Sequence, residues 1–255
     1  MLTDKDFNKT STILISSLLS VLFFVYILLF EFVLPINKIL PKPSILLASI
    51  PSLVEDYNFG FALVRTVSTV FISLFVSYFL IKFFNRSLLF AINLFPKVLY
   101  LKKVSEYFIP FFLILLLALW FNKSIWFEFL FALVLVMSKL KFSFFGAVSS
   151  LKQEYIESSK SLGISQQLIQ DKIIWKLIQP KLFDTIYEYY KYLWAWILVY
   201  EFVLNSDGVG GVLNLAIKYN DLSVVVLSII ILIIVNILGT FLLKSIKRKF
   251  FFWEE

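Results

Sequence analysis

Long apolar runs alternate with shorter charged segments along this chain, and only one long segment, Phe145 to Phe183, is polar and amphipathic. Thr10 to Phe30 carries no charge, which is about the length that crosses a bilayer core as a helix. Comparable runs at Phe59 to Ile81, Tyr107 to Phe121, Ile125 to Lys141, Asp184 to Leu204 and Leu222 to Leu243 predict about six spans in all. The expected fold is therefore an all-α polytopic bundle forming a single domain over 1–255. Pro35 ends the first run, and Ile45 to Val54 reads as a short outer helix. Lys82 to Ser105 is rich in cations and its apolar stretch, Ser87 to Pro96, is too short to span, so it reads as an interfacial helix. A cleavable signal peptide is the competing reading of the first run, but Asp4, Lys5, Asp6 and Lys9 cancel and no small-residue cleavage site follows.

Within the polar segment the spacing predicts a helix, a tight turn and a second helix. Gly163 suits the left-handed position after a helix end, because it has no Cβ to clash, and Ser165 can cap the second helix. Ile169, Ile173 and Leu177 then recur at i, i+4, i+8 beside Ile174 and Ile178, while Gln166, Gln170, Asp171, Lys172 and Lys176 gather on the other side. Pro180 terminates this helix or marks the start of the next span.

Glu157-Ser158-Ser159, with Gly163, Ile173 and Pro180 further along, resembles the EAA loop of bacterial ABC-importer permeases. The resemblance implies a type I importer-like fold whose cytoplasmic helix-turn-helix, about 145–183, docks on a separate ATPase subunit. Serines stand where the family has alanines, and Lys176 replaces the usual first proline of the loop. Leu40-Pro41-Lys42-Pro43-Ser44 is similar to a segment of the nitrate/sulfonate/taurine subgroup of the binding-protein-dependent inner-membrane component family. So is Trp194 with Glu201 and Asn205-Ser206-Asp207-Gly208-Val209-Gly210-Gly211. That likeness implies a permease homodimer, an extracytoplasmic solute-binding protein, and ATP and Mg held by the partner ATPase rather than by this chain.

Composition agrees with a membrane protein. With 60% hydrophobic and 19% aromatic residues over 255 positions, polar groups could not cover a soluble surface. Absence of Cys and His excludes disulfides, thiol catalysis, His-ligated metals and histidine acid/base chemistry. The chain has no Walker motif and no nucleophile-base pair, so it reads as a non-enzyme whose energy comes from a partner. The net charge of +7 lies beside the apolar runs, which favours lipid phosphate over nucleic acid. Eighteen of the 24 Lys and Arg fall in segments on one side of the expected spans, including the polar loop, and only Lys38, Lys42, Lys123 and Lys218 on the other. The positive-inside rule then puts both termini and the loop in the cytoplasm, and the family resemblance implies the bacterial inner membrane.

Charges inside the runs mark the candidate translocation path. Arg65 near the outer end of its span either snorkels to the interface or faces an anionic substrate. The run 184–204 carries Glu188, Lys191 and Glu201 among Tyr and Trp, and Tyr190, Trp194, Ile197 and Glu201 fall on one helical face. Either this face lines the interior, or Glu188 and Lys191 pair at the inner interface and the aromatics form a belt. Arg65 and Lys191 point toward an anion, and the subgroup resemblance toward a sulfonate, taurine or nitrate. Permeases for thiamine-precursor pyrimidines look similar at these motifs, and a membrane scaffold or sensor that moves nothing is the alternative from another class.

Overall fold

In hydrocarbon every backbone N–H and C=O must find its partner within the segment, so uncharged apolar runs fold as helices. The structure, a computed structural model, describes residues 17–18, 20–22, 24–33, 41–94, 110–120, 124–151 and 153–251. Expectations on Thr10, Pro35, Lys38, Leu40, Lys97, Tyr107, Phe121, Lys123 and Trp253 lie outside them. Every regular element among the described residues is helical. We number the α-helices α1 (Pro43–Ala48), α2 (Ile50–Glu55), α3 (Phe59–Phe83), α4 (Asn85–Leu94), α5 (Pro110–Trp120), α6 (Ile125–Ser149), α7 (Gln153–Ser161), α8 (Gln166–Leu168), α9 (Trp175–Leu204), α10 (Val209–Lys218) and α11 (Leu222–Phe250). Two wider π segments, Leu28–Val33 and Ile169–Ile174, complete the order.

Among the described residues three helices, α3, α6 and α11, are long and apolar enough to cross a membrane. The remaining expected spans have other forms. The first apolar helix is shorter, over Ser20–Val33, and α5 has 11 residues. With 30 residues α9 has ample length, but Lys181, Asp184, Glu188, Lys191 and Glu201 interrupt its apolar character.

Several boundaries differ from those expected. The outer helix over Ile45 to Val54 is broken into α1 and α2 at Ser49, because Pro51 has no N–H to continue the ladder. Helix α6 runs on past Lys141 to Ser149, so Phe145 to Ser149 belong to it rather than to the polar loop. Pro180 neither ends nor begins a helix: it is buried inside α9. Its ring is tolerated where packing against neighbours holds the helix around it.

The second hairpin helix corrects the i, i+4, i+8 pattern. Ile169, Ile174 and Ile178 are buried, Ile173 is half-buried and Leu177 is exposed. The π segment explains the shift, since one extra residue in a turn carries the apolar stripe from i to i+5 before the α period resumes.

The chain divides into two compact units, Met1–Asn58 with Ala216–Ile231 and Phe59–Leu215 with Leu232–Glu255. Within the first, the Tyr26 hydroxyl donates to the Pro41 carbonyl at 2.7 Å, and Tyr57 donates to Asp221, whose other oxygen accepts the Val224 N–H at 3.2 Å and so caps α11. Within the second, α3, α6 and α9 pack on one another, joined by α5 and by α4 against the π segment at 169. Thr66, Thr69, Ser73 and Ser77 make a buried small-residue stripe along α3 that lets neighbouring helices approach closely. Val70 and Leu74 of α3, Val136 and Phe144 of α6, and Leu182 and Leu193 of α9 belong to the resulting core. At the other end Phe131 stacks on Tyr200 with ring centroids 5.1 Å apart.

Gly239 admits the buried Tyr190, since a Cβ there would overlap the tyrosine hydroxyl. Gly239→Ala is expected to cost about 1 to 3 kcal/mol by overpacking. Thermal unfolding in detergent checks it, and Tyr190→Phe in the same chain should recover part of the loss, since the ring atom 2.8 Å from the added Cβ remains.

Candidate functional site

Helix α7 ends where Gly163 takes φ +71°. The Gly163 N–H bonds the Lys160 carbonyl at 2.9 Å and the Ile164 N–H bonds the Ser159 carbonyl at 3.3 Å, the paired closure of a Schellman turn. Ser165 then caps α8 by accepting the Leu168 N–H, as its position after the glycine led us to expect. Of the residues singled out, Glu157 and Ser158 are exposed on α7, while Ser159 is buried with its hydroxyl donating to the Tyr155 carbonyl at 2.6 Å. Leu162 at the tip is 76% exposed. Ile173 and Pro180 sit away from that surface, at the packed base of the hairpin, where Leu151 and Ile164 also meet the core.

Two further contacts fix the base. Asn85 Nδ2 donates to the Gln170 carbonyl at 3.2 Å, and the Arg86 guanidinium forks onto the Asp171 carboxylate, its Nε lying 2.9 Å from Oδ1. The hydrogen bond from Arg86, reinforced by its charge, holds the Asp171 carboxyl below its ordinary 3.8. Sequence reading placed these residues on separate segments, and nothing in their spacing announced the pair.

A second constellation lies at the far end of α9. Arg65, on α3, has a side chain only 8% exposed; it donates to Glu128 Oε2 at 3.0 Å and to Asp207 Oδ2 at 2.8 Å. It is therefore ion-paired within the protein rather than snorkelling. Glu128 is fully buried, and its other oxygen accepts the Thr69 hydroxyl at 3.1 Å. Glu201, equally buried, accepts the Thr66 hydroxyl at 2.7 Å and the Gly210 N–H at 2.8 Å. The Val209 N–H donates to Thr66 Oγ1 at 3.0 Å, so one hydroxyl joins α3, α9 and the turn after α9.

Local geometry explains that turn. Asn205 at φ 48° closes α9, with the Ser206 N–H bonding the Glu201 carbonyl at 2.9 Å, so backbone and side chain of Glu201 both hold the chain. A Cβ at Gly208 or Gly210 would overlap Glu201 atoms, which is why glycine occupies both positions.

The structure brings Tyr190, Trp194 and Glu201 to one buried face with Ile197, and sets Lys191 apart on an exposed one. The Tyr190 hydroxyl and Trp194 Nε1 are buried without partners among the described residues. Sequence reading missed Glu128, Thr66, Thr69 and Asp207 as members of the cluster. The signal available was position along the helices, since Arg65 and Glu128 lie within about two turns of the first residues of α3 and α6, and Glu201 within about one turn of the last residue of α9.

Removing one partner of a buried pair strands the other. Glu128→Leu is expected to cost about 3 to 5 kcal/mol, and Asp207→Asn, at a carboxylate whose side chain is 82% exposed, less than about 1, both read by thermal unfolding. For the hairpin base the sign is fixed by a lowered folded-state pKa. The contribution of the Arg86–Asp171 tie is complete above 3.8 and disappears as pH falls through the lowered value. An NMR titration of the Asp171 carboxyl should move back to its ordinary range in Arg86→Gln. No protein-family model, curated protein or solved structure matched this chain in comparison.

Proposed function

We propose that this chain is the permease subunit of an ABC-type importer, moving a small solute inward across the bacterial inner membrane on energy from ATP hydrolysed by a separate subunit. The observation that carries the reading is the hairpin. It offers Glu157, Ser158 and Leu162 at its surface while its base is buried among α3, α6 and α9. A knob exposed at its tip and fixed at its root can receive a displacement and pass it on. Helix α9 is the member that would carry it, running unbroken from the hairpin base past Glu201 to Leu204, about 45 Å for 30 residues.

In this reading two copies pair, each hairpin docks on one ATPase subunit, and the ATPase holds ATP and Mg. Closure of the motor shifts the bundles between inward-facing and outward-facing states, which requires hairpin contacts that differ between the two. A solute-binding protein delivers the substrate on the outer side. The cation distribution supports a cytoplasmic hairpin with both termini inside. The resemblance favours a sulfonate, taurine or nitrate, with thiamine-precursor pyrimidines as the substrate alternative. Arg65 is already matched by Glu128 and Asp207, so the choice rests on the binding protein's ligand, which a thermal-shift screen identifies.

Glu157→Arg is expected to weaken co-elution with the ATPase about tenfold or more through misplaced charge. Gly163→Pro should abolish transport while assembly persists, because a φ of +71° is closed to proline. Unchanged association in Glu157→Arg removes the docking role. Association without uptake of any solute in reconstituted vesicles assigns the chain to the scaffold or sensor class instead.

A further inference from the structure

Where α3 gives way to α4 there is a groove of about 750 Å³. One wall runs along the last two turns of α3 from Val76 through Phe79 and Leu80 to Phe83, with Phe79 60% and Phe83 81% exposed. At 1.5 Å per residue this wall is roughly 10 Å long, about two thirds of the hydrocarbon depth of one leaflet. Lys82, Asn85, Arg86 and Asp171 close the end of the groove. Among the described residues Lys82 has no ion-pair partner, and Arg86, although held by Asp171, keeps 56% of its side chain exposed. Two cations against one carboxylate leave a single positive charge at this end. Asn85 is 4% exposed; its Nδ2 is used by the Gln170 carbonyl, and its Oδ1 is buried with no donor.

An apolar wall on a helix able to span a bilayer, ending in unmatched positive charge, has the two-part chemistry of a phospholipid. Its length suits an acyl chain, and its cations stand at the helix end, where headgroup phosphates lie. A second copy seated there would bring the same sign of charge to the rim. We propose that this groove holds one anionic glycerophospholipid, with its acyl chain along Val76 to Phe83 and its phosphodiester on Lys82 and Arg86. Because Arg86 also grips Asp171 in the π segment, the bound phosphodiester stands one side chain away from the base of the hairpin.

Native mass spectrometry of the full-length chain, delipidated in detergent and titrated with phosphatidylglycerol or phosphatidylcholine of equal chain length, tests the assignment. One phosphatidylglycerol is expected to be retained in preference to phosphatidylcholine. Lys82→Gln should weaken retention about fivefold, and Lys82→Gln with Arg86→Gln about twenty-five-fold. Lys82→Arg should restore it, Phe79→Ser should reduce it with both cations in place, and Lys139→Gln should leave it unchanged. Equal retention of the two lipids, unchanged retention in Lys82→Gln, or displacement of the lipid by excess inorganic phosphate alone would overturn the proposal.

Discussion

Arg65 enters a bilayer-length helix with almost none of its side chain exposed, and the charge of a guanidinium so placed must be met by protein groups. The helices that meet it must therefore bring carboxylates. Glu128 supplies one from the first turn of α6, where the helix dipole also favours an anion, and Asp207 supplies another from the turn after α9. The threonines one turn apart on α3 then divide the work, Thr69 holding Glu128 and Thr66 holding Glu201. Such a network offers register more than net stability, because desolvating its charges costs about as much as their attraction returns. The starts of α3 and α6 and the far end of α9 are joined through these side chains. The small-residue stripe below lets the same helices close on one another toward the hairpin.

Much of this was legible in the chain. The apolar run around Arg65 placed α3 to within two residues of its expected end, and an uncharged run placed the start of α11 where it was expected. Gly163 and Ser165 specified a turn and a cap by local sterics alone, and the period of α9 placed Tyr190, Trp194, Ile197 and Glu201 on one buried face. In each case a local rule and the tertiary packing demand the same thing.

Where the two part, sequence reading failed for identifiable reasons. A helical wheel assumes 3.6 residues per turn throughout, so it could not anticipate that the 169–174 segment would widen and bury Ile174 in place of Ile173. Proline at position 180 reads as a boundary, yet α9 continues through it, held by neighbours far away in sequence. The meeting of Arg65 with Glu128 and of Arg86 with Asp171 joins residues 63 and 85 positions apart, beyond any periodicity.

The widened segment at the hairpin root also contains one residue more than an α-helix of the same height needs. Loss of a single amino acid between Ile169 and Ile174 would let the ladder revert to α geometry without disturbing the span beyond it. A π turn takes up its extra residue in place, so the outward surface of the hairpin would keep its bearing. Length at this one place can thus change by a single residue while the exposed surface and the packed helix beyond it keep their relative placement.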